Sequence, residues 1–159
     1  MKNSITIKEM LDRKKAYEKY AIPEFTNTVK TFFETNFSDS VNIVISTSAS
    51  TCMVPVSKEL AKIFNAAFRL DRGGKTLNIH IRNDNETLSI IIGTKHALPI
   101  RDEERANLES LAREADVALV IAENAVVLQI ELVDADVISV SAINRLCPFY
   151  RTLEEVFFD

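Results

Sequence analysis

The sequence predicts an α+β fold, a two-layer sandwich in which a mixed, mostly antiparallel sheet carries helices on one face, with an N-terminal helical pair added to it. Three observations predict it. Short β-branched segments interleave with apolar stripes at helical spacing. Several strand-like segments follow one another with only tight turns between them. Hydrophobic residues make up 47% of the 159-residue chain, against 3 Gly and 4 Pro, a composition that buries a core. No repeat, low-complexity run or linker divides the chain. Residues 1–159 therefore read as one domain, with 1–36 as a helical extension and 41–144 as the sandwich core.

The elements follow in order. Ile7, Met10, Leu11 and Tyr17 on a charged background predict an amphipathic helix over Ile7–Tyr20. Pro23 breaks it and suits the first turn of a second helix, which ends over Asn36–Ser40. Phe25, Val29, Phe32 and Phe33 fall at i, i+4, i+7 and i+8 of that helix. Four such residues exceed what one solvated face holds, so they mark a candidate contact surface, against the sheet or between two copies of the chain.

Val41–Ser46 sets Val41, Ile43 and Ile45 against Asn42, Val44 and Ser46, the pattern of a strand with one buried face. Ser46–Thr51 reads as a polar loop. Ser57 suits an N-cap and Glu59 the positive end of a helix whose stripe is Leu60, Ile63, Phe64, Ala67 and Phe68, stopped by Gly73 and Gly74. Thr76–Arg82 and Thr87–Gly93 form a hairpin around Asn83-Asp84-Asn85-Glu86. After Pro99, the acids Asp102, Glu103 and Glu104 open a helix that buries Leu108, Leu111, Ala112 and Ala115 and ends near Asp116. Val117–Ala122, Val126–Val133 and Val137–Asn144 predict an antiparallel meander, and Pro148–Phe158 a closing helix that buries Leu153, Val156 and Phe157.

With the helices on one face, the other face of the sheet is wet or covered by a partner. Asn78, His80 and Arg82, then Gln129 and Glu131, then Ser139 and Ser141 alternate toward it. His80, Arg82, Gln129 and Glu131 mark a candidate surface for a protein partner.

Composition excludes several classes of function. A net charge of −4 argues against a nucleic-acid footprint, which needs clustered Lys and Arg. Met1–Lys15 lacks the apolar core of a signal peptide, and the longest apolar runs are too short to span a bilayer, so a cytoplasmic address is expected. Cys52 and Cys147 lack CxxC spacing and fit a reducing compartment. Together with His80 and His96 they show no zinc-ligand pair, so neither metal nor cofactor is implied.

No catalytic residues stand out. Asp71-Arg72-Gly73-Gly74-Lys75 resembles a phosphate loop in composition, but it closes a helix, so the helix dipole opposes an anion there. Asp102, Glu103 and Glu104 are adjacent and do not converge for acid-base work. The hydroxyls of Ser46, Thr47, Ser48, Ser50 and Thr51 have no histidine tied to them by spacing. His96 follows a strand end, a place where sites often sit.

Lys62-Ile63-Phe64-Asn65-Ala66-Ala67 on a helix, the hairpin Thr76–Gly93 after it, and the helix-strand-strand run Leu108–Leu132 share their order with a known family. From Val41 to Val133 the chain resembles the ATP-binding domain of the GHKL superfamily, the histidine-kinase and gyrase type. The resemblance implies that sandwich fold and a nucleotide site near Asn65. The motifs depart from it. Where the family has a D-x-G-x-G box whose Asp reads adenine, this chain has Gly93-Thr94-Lys95-His96-Ala97-Leu98. Arg101–Asp116 has no glycine to form the family's phosphate lid, and Ala61 stands where an acid or Asn would precede the Asn-Ala pair. Residues 1–36 contain no phosphoacceptor histidine. The expected function is therefore a non-catalytic regulatory or scaffold protein acting through protein-protein contacts, with a homodimer among its partners. The alternative is an atypical nucleotide- or small-ligand-binding protein that uses Asn65, Lys95, His96 and Arg101.

Overall fold

Alternation of apolar and polar residues along the strands determines which face of the sheet is buried. The computed structural model describes residues 18–134 and 147–158. Its elements run β1 (Glu18–Ala21), α1 (Ile22–Phe37), β2 (Val41–Ser46), β3 (Met53–Val56), α2 (Lys58–Phe68), β4 (Leu77–Asn83), β5 (Thr87–Gly93), α3 (Asp102–Ala115), β6 (Ala118–Ile121), β7 (Ala125–Glu131) and α4 (Phe149–Phe158). Five strands form a mixed sheet in the order β2-β4-β5-β7-β6, parallel only between β2 and β4. The parallel pair needs a crossover, and α2 supplies it. The expected α+β sandwich is the observed fold, with four helices among the described residues.

The inward row of each strand is apolar. Ile79, Ile81, Leu88, Ile90, Ile92, Val126, Leu128 and Ile130 are all buried in one cluster with the helices. Each such side chain stabilises the fold by about 1.5–3 kcal/mol relative to an exposed one. Ser57 begins α2 as expected, its hydroxyl accepting the Leu60 amide at 3.2 Å. The predicted hairpin is closed by Asp84, whose carboxylate accepts the amides of Glu86 and Thr87 at 2.9 and 2.8 Å.

Aromatic residues gather where three helices end. Phe37 at the end of α1 lies 4.4 Å from Phe68 at the end of α2 and 5.9 Å from Phe158 at the end of α4, ring centroid to centroid. Three helix C-termini in one place concentrate partial negative charge. Two arginines offset it: Arg69 donates to the Phe157 carbonyl at 3.1 Å and Arg72 to the Phe68 carbonyl at 2.5 Å. Both guanidinium groups also lie over the Phe68 ring.

Two expectations for the N-terminal segment need correction. Glu18–Tyr20, placed by sequence in the end of a helix, belongs to strand β1, which pairs antiparallel with β3. Helical spacing in the sequence yields there to a long-range pairing, and β3 is itself tied through Met53 to Val133, with amide-carbonyl bonds of 2.7 and 2.9 Å. Phe25, Val29, Phe32 and Phe33 do not form a contact surface for another chain: they are 0–1% exposed. They fill the space between α1, α2 and α4, with Phe33 against Phe64, Phe68 and Phe157. The rest of the first predicted helix, the predicted strand Val137–Asn144, and Ser139 and Ser141 lie outside the described residues.

Candidate functional site

Two regions contain the residues singled out by sequence. The first is the end of the sandwich where α2 stops and α3 starts. Asn65 projects from the last turns of α2, and its side-chain oxygen accepts Arg69 Nε at 3.1 Å. Ala61, one turn earlier, is fully buried. No metal-ligating group can act from that position.

The segment after β5 is folded onto itself. Thr94 is buried, its hydroxyl donating to the His96 carbonyl and accepting the His96 amide. The Thr94 amide donates to the Asn124 carbonyl at 3.0 Å and the Leu98 amide to the Glu123 carbonyl at 2.9 Å, which pins the segment to the β6–β7 turn. Lys95 and His96 are left exposed at its tip. Gly93 is required here, because a Cβ at that position would stand 2.2 Å from the Asn124 carbonyl oxygen.

Arg101 stands at the start of α3. Glu104 reaches back to it, accepting the Arg101 amide at 3.0 Å and Arg101 Nε at 3.2 Å. The hydrogen bond it donates to Glu104 holds the guanidinium above its usual range, with further contributions from Glu103 and Asp71. The same amide and guanidinium bonds hold the Glu104 carboxyl below the usual carboxylate range. A helix N-terminus attracts anions, and this one is already occupied by Asp102, Glu103 and Glu104. Asn65, Lys95, His96 and Arg101 thus lie toward one end of the sandwich, but Asn65 and Arg101 are each committed to a neighbour on their own helix.

The second region is the sheet face opposite the helices. Strand register aligns Val44, His80, Ile91, Val127 and Val120 in one row that crosses all five strands. The next row is Ser46, Arg82, Ser89, Gln129 and Ala118, and beyond it Thr87 stands beside Glu131. Val44 and Val120 at the two edges are 48% and 53% exposed. The structure therefore brings His80, Arg82, Gln129 and Glu131 to one face, around a central apolar row. Alternation in β2 already placed Val44 on this side; the contribution of Ile91, Val127 and Val120 depends on register.

Sequence spacing gave no histidine to the Ser46–Thr51 hydroxyls, yet His80 Nε2 lies 3.1 Å from Ser46 Oγ. The parallel register of β2 on β4 makes this diagonal contact. The pair sits on an open sheet face, and among the described residues no third group orients the ring, so it satisfies the imidazole without forming a nucleophile site. Among the described residues no group of three or more His, Cys, Asp or Glu side chains could hold a metal ion, and no helix is long and apolar enough to cross a membrane.

An open groove of about 320 Å³ runs between α3 and β6, lined by Arg105, Glu109, Ala112, Arg113, Val117, Leu119 and Ile121. It includes none of the candidate site residues Asn65, Lys95, His96, Arg101, His80, Arg82, Gln129 or Glu131.

A solved structure shows the fold. Histidine kinase AdeS of Acinetobacter baumannii superposes with a TM-score of 0.52 at 11% identity, covering 81% of this chain and 78% of the kinase chain. The fold is one seen in a histidine kinase. A histidine kinase from Burkholderia phymatum STM815 gives 0.48 at 12% identity over 83% of this chain and 79% of that one. Histidine kinase ThkA, solved in complex with the response regulator protein TrrA, gives 0.48 at 14% identity over 82% of this chain and 47% of that one. No protein-family model matches the sequence, and neither does any curated protein. At such identities the kinase likeness concerns the path of the chain, so function is argued from the side chains.

Proposed function

We propose that this chain is a non-catalytic regulatory or scaffold protein, a histidine-kinase fold adapted to protein-protein contact and acting in the cytoplasm. The observation that carries this reading is the row Val44-His80-Ile91-Val127-Val120, an apolar band across the full width of the sheet face opposite the helices. Four apolar residues in one row, half-buried at the centre and exposed at the two edges, with a polar rim fit a partner surface. Arg82, Gln129 and Glu131 supply such a rim.

The end of the sandwich near Asn65 supports the same reading. A triphosphate at the start of α3 would meet Asp102, Glu103 and Glu104, and carboxylates repel it. Phosphoryl chemistry needs positioned cations and a metal, and Asn65 bound to Arg69 provides neither.

A photo-crosslinking amino acid placed singly at Val44 and Val120, with Lys30 on α1 and Glu109 on α3 as comparison positions, tests the proposal in cells. Adducts with protein confined to the sheet-face positions are expected. Adducts only from Lys30 or Glu109, or none from the sheet face, would overturn it.

A further inference from the structure

The apolar row has a symmetry of its own. Its centre is Ile91 on β5, the middle strand, and its two ends are the valines Val44 and Val120. The charged residues beside it are arranged in opposition about the same strand. Arg82 lies on β4, one strand to one side of β5, and Glu131 on β7, one strand to the other. Among the described residues the ion pairs are Lys30–Glu34 and Arg101–Glu104, and neither Arg82 nor Glu131 has an ionic partner among them.

We infer that this face pairs with the same face of a second copy of the chain, related by a two-fold axis that runs along the strands between the two sheets. The inference rests on the protein-contact reading above and names the partner. Such an axis leaves rows in place and reverses strand order. It sets Val44 over Val120 of the second copy, His80 over Val127 of the second copy, and Ile91 over its own equivalent. Arg82 then faces Gln129 of the second copy, with Glu131 of the second copy one row further along, about 7 Å away and within reach of an arginine side chain. The contact occurs twice because the interface is isologous. Sheets packed face to face stand about 10 Å apart with strands roughly aligned, which is the arrangement this axis produces. The alternative two-fold axis, across the strands, would place Arg82 near His80 of the second copy and leave Glu131 without a cation.

The area fits a weak contact. Five strands about 4.8 Å apart and three rows about 6.8 Å apart give on the order of 500 Å² per copy, or about 1,000 Å² in total. That lies below what specific, stable interfaces bury, so a weak, reversible dimer is expected. His80 enters the interface with Nε2 already bonded to Ser46 Oγ, which lowers the cost of covering one of its two ring nitrogens.

Sedimentation equilibrium of the full chain from low micromolar to submillimolar concentration reads the association directly. A monomer–dimer equilibrium is expected. Arg82→Glu and Glu131→Arg should each weaken it at least tenfold, and a mixture of the two variants should recover association because each then meets its complement. Val120→Lys, at an exposed position, should abolish the dimer while circular dichroism stays unchanged. A wild-type chain monomeric throughout, or a dimer indifferent to Arg82→Glu, would overturn the inference. Either result would leave the wider protein-contact reading standing, since crosslinks to a different protein from Val44 and Val120 would still be expected.

Discussion

Glu104 accepts two hydrogen bonds from Arg101, one from its backbone amide at 3.0 Å and one from its guanidinium at 3.2 Å. The carboxylate lies at the helix end where an anionic ligand would otherwise be attracted. A structural cap and a phosphate site compete at a helix start, and here the cap holds the Arg101 amide while the acids of the first turn repel an anion.

Acid should destabilise the fold through Glu104 and Asp84. Both carboxyls lie below their ordinary range in the folded state, Glu104 through the Arg101 amide and side chain, Asp84 through the amides of Glu86 and Thr87. A depressed folded pKa means that the unfolded chain binds more protons as pH falls, so the stability is present above the ordinary carboxylate range and is lost as pH drops through the folded values. Urea midpoints at pH 7 and pH 3 should differ in that direction. Asp84→Asn should shrink the difference, and an unchanged difference would show that Asp84 contributes nothing to it.

The aromatic cluster should dominate stability. Phe33 packs on Phe32, Phe64, Phe68 and Phe157, so Phe33→Ala should cost about 3–5 kcal/mol by urea titration. Ser57→Ala, which removes the cap of α2, should cost about 1 kcal/mol. Equal effects would contradict the assignment of Phe33 to the core.

Gly93 should not tolerate a side chain. Its missing Cβ leaves room for the Asn124 carbonyl and the Ala125 methyl, at 2.2 and 2.8 Å from where a Cβ would stand. Gly93→Ala should destabilise by about 1–3 kcal/mol. Thermal melts should show the loss even though alanine suits a strand better than glycine does.

The two thiols should react differently. Cys147 is buried with its amide on the Thr28 hydroxyl at 3.0 Å, and burial pushes its thiol pKa up. Cys52 is only partly buried. A thiol reagent at neutral pH should label one site per chain rapidly and the second only in denaturant. Fast labelling of both would contradict the burial of Cys147.

Much of the sandwich was legible because its elements are long enough to show a period. α2 has a cap, an acidic first turn and five apolar stripe positions, and β4 and β5 have a turn whose Asp84 closes it. β1 and β3 were not legible for the opposite reason. Each spans four residues, β3 contains Pro55, and their pairing joins Glu18 to Val56 and Met53 to Val133, contacts that no local pattern announces. α1 illustrates a different limit. The stripe of Phe25, Val29, Phe32 and Phe33 showed that something covers that face, but not that the covering partners are Phe64, Phe149 and Phe157 of the same chain.

The candidate surface was half legible. Alternation assigned His80, Arg82, Gln129 and Glu131 to the outer face, because polar residues announce an exposed side. Ile91, Val127 and Val120 resemble core residues in sequence, and only the pairing of β5, β7 and β6 shows them in the same row as His80.

Isothermal titration of the full chain with ATP, with and without magnesium, tests the central claim most directly. A histidine-kinase fold whose helix end is filled by Glu104 and whose Asn65 is bound to Arg69 should give no heat of binding at any ratio. Saturable binding in the micromolar range or tighter, lost in Asn65→Ala, would contradict the account and restore nucleotide recognition as the function of this chain.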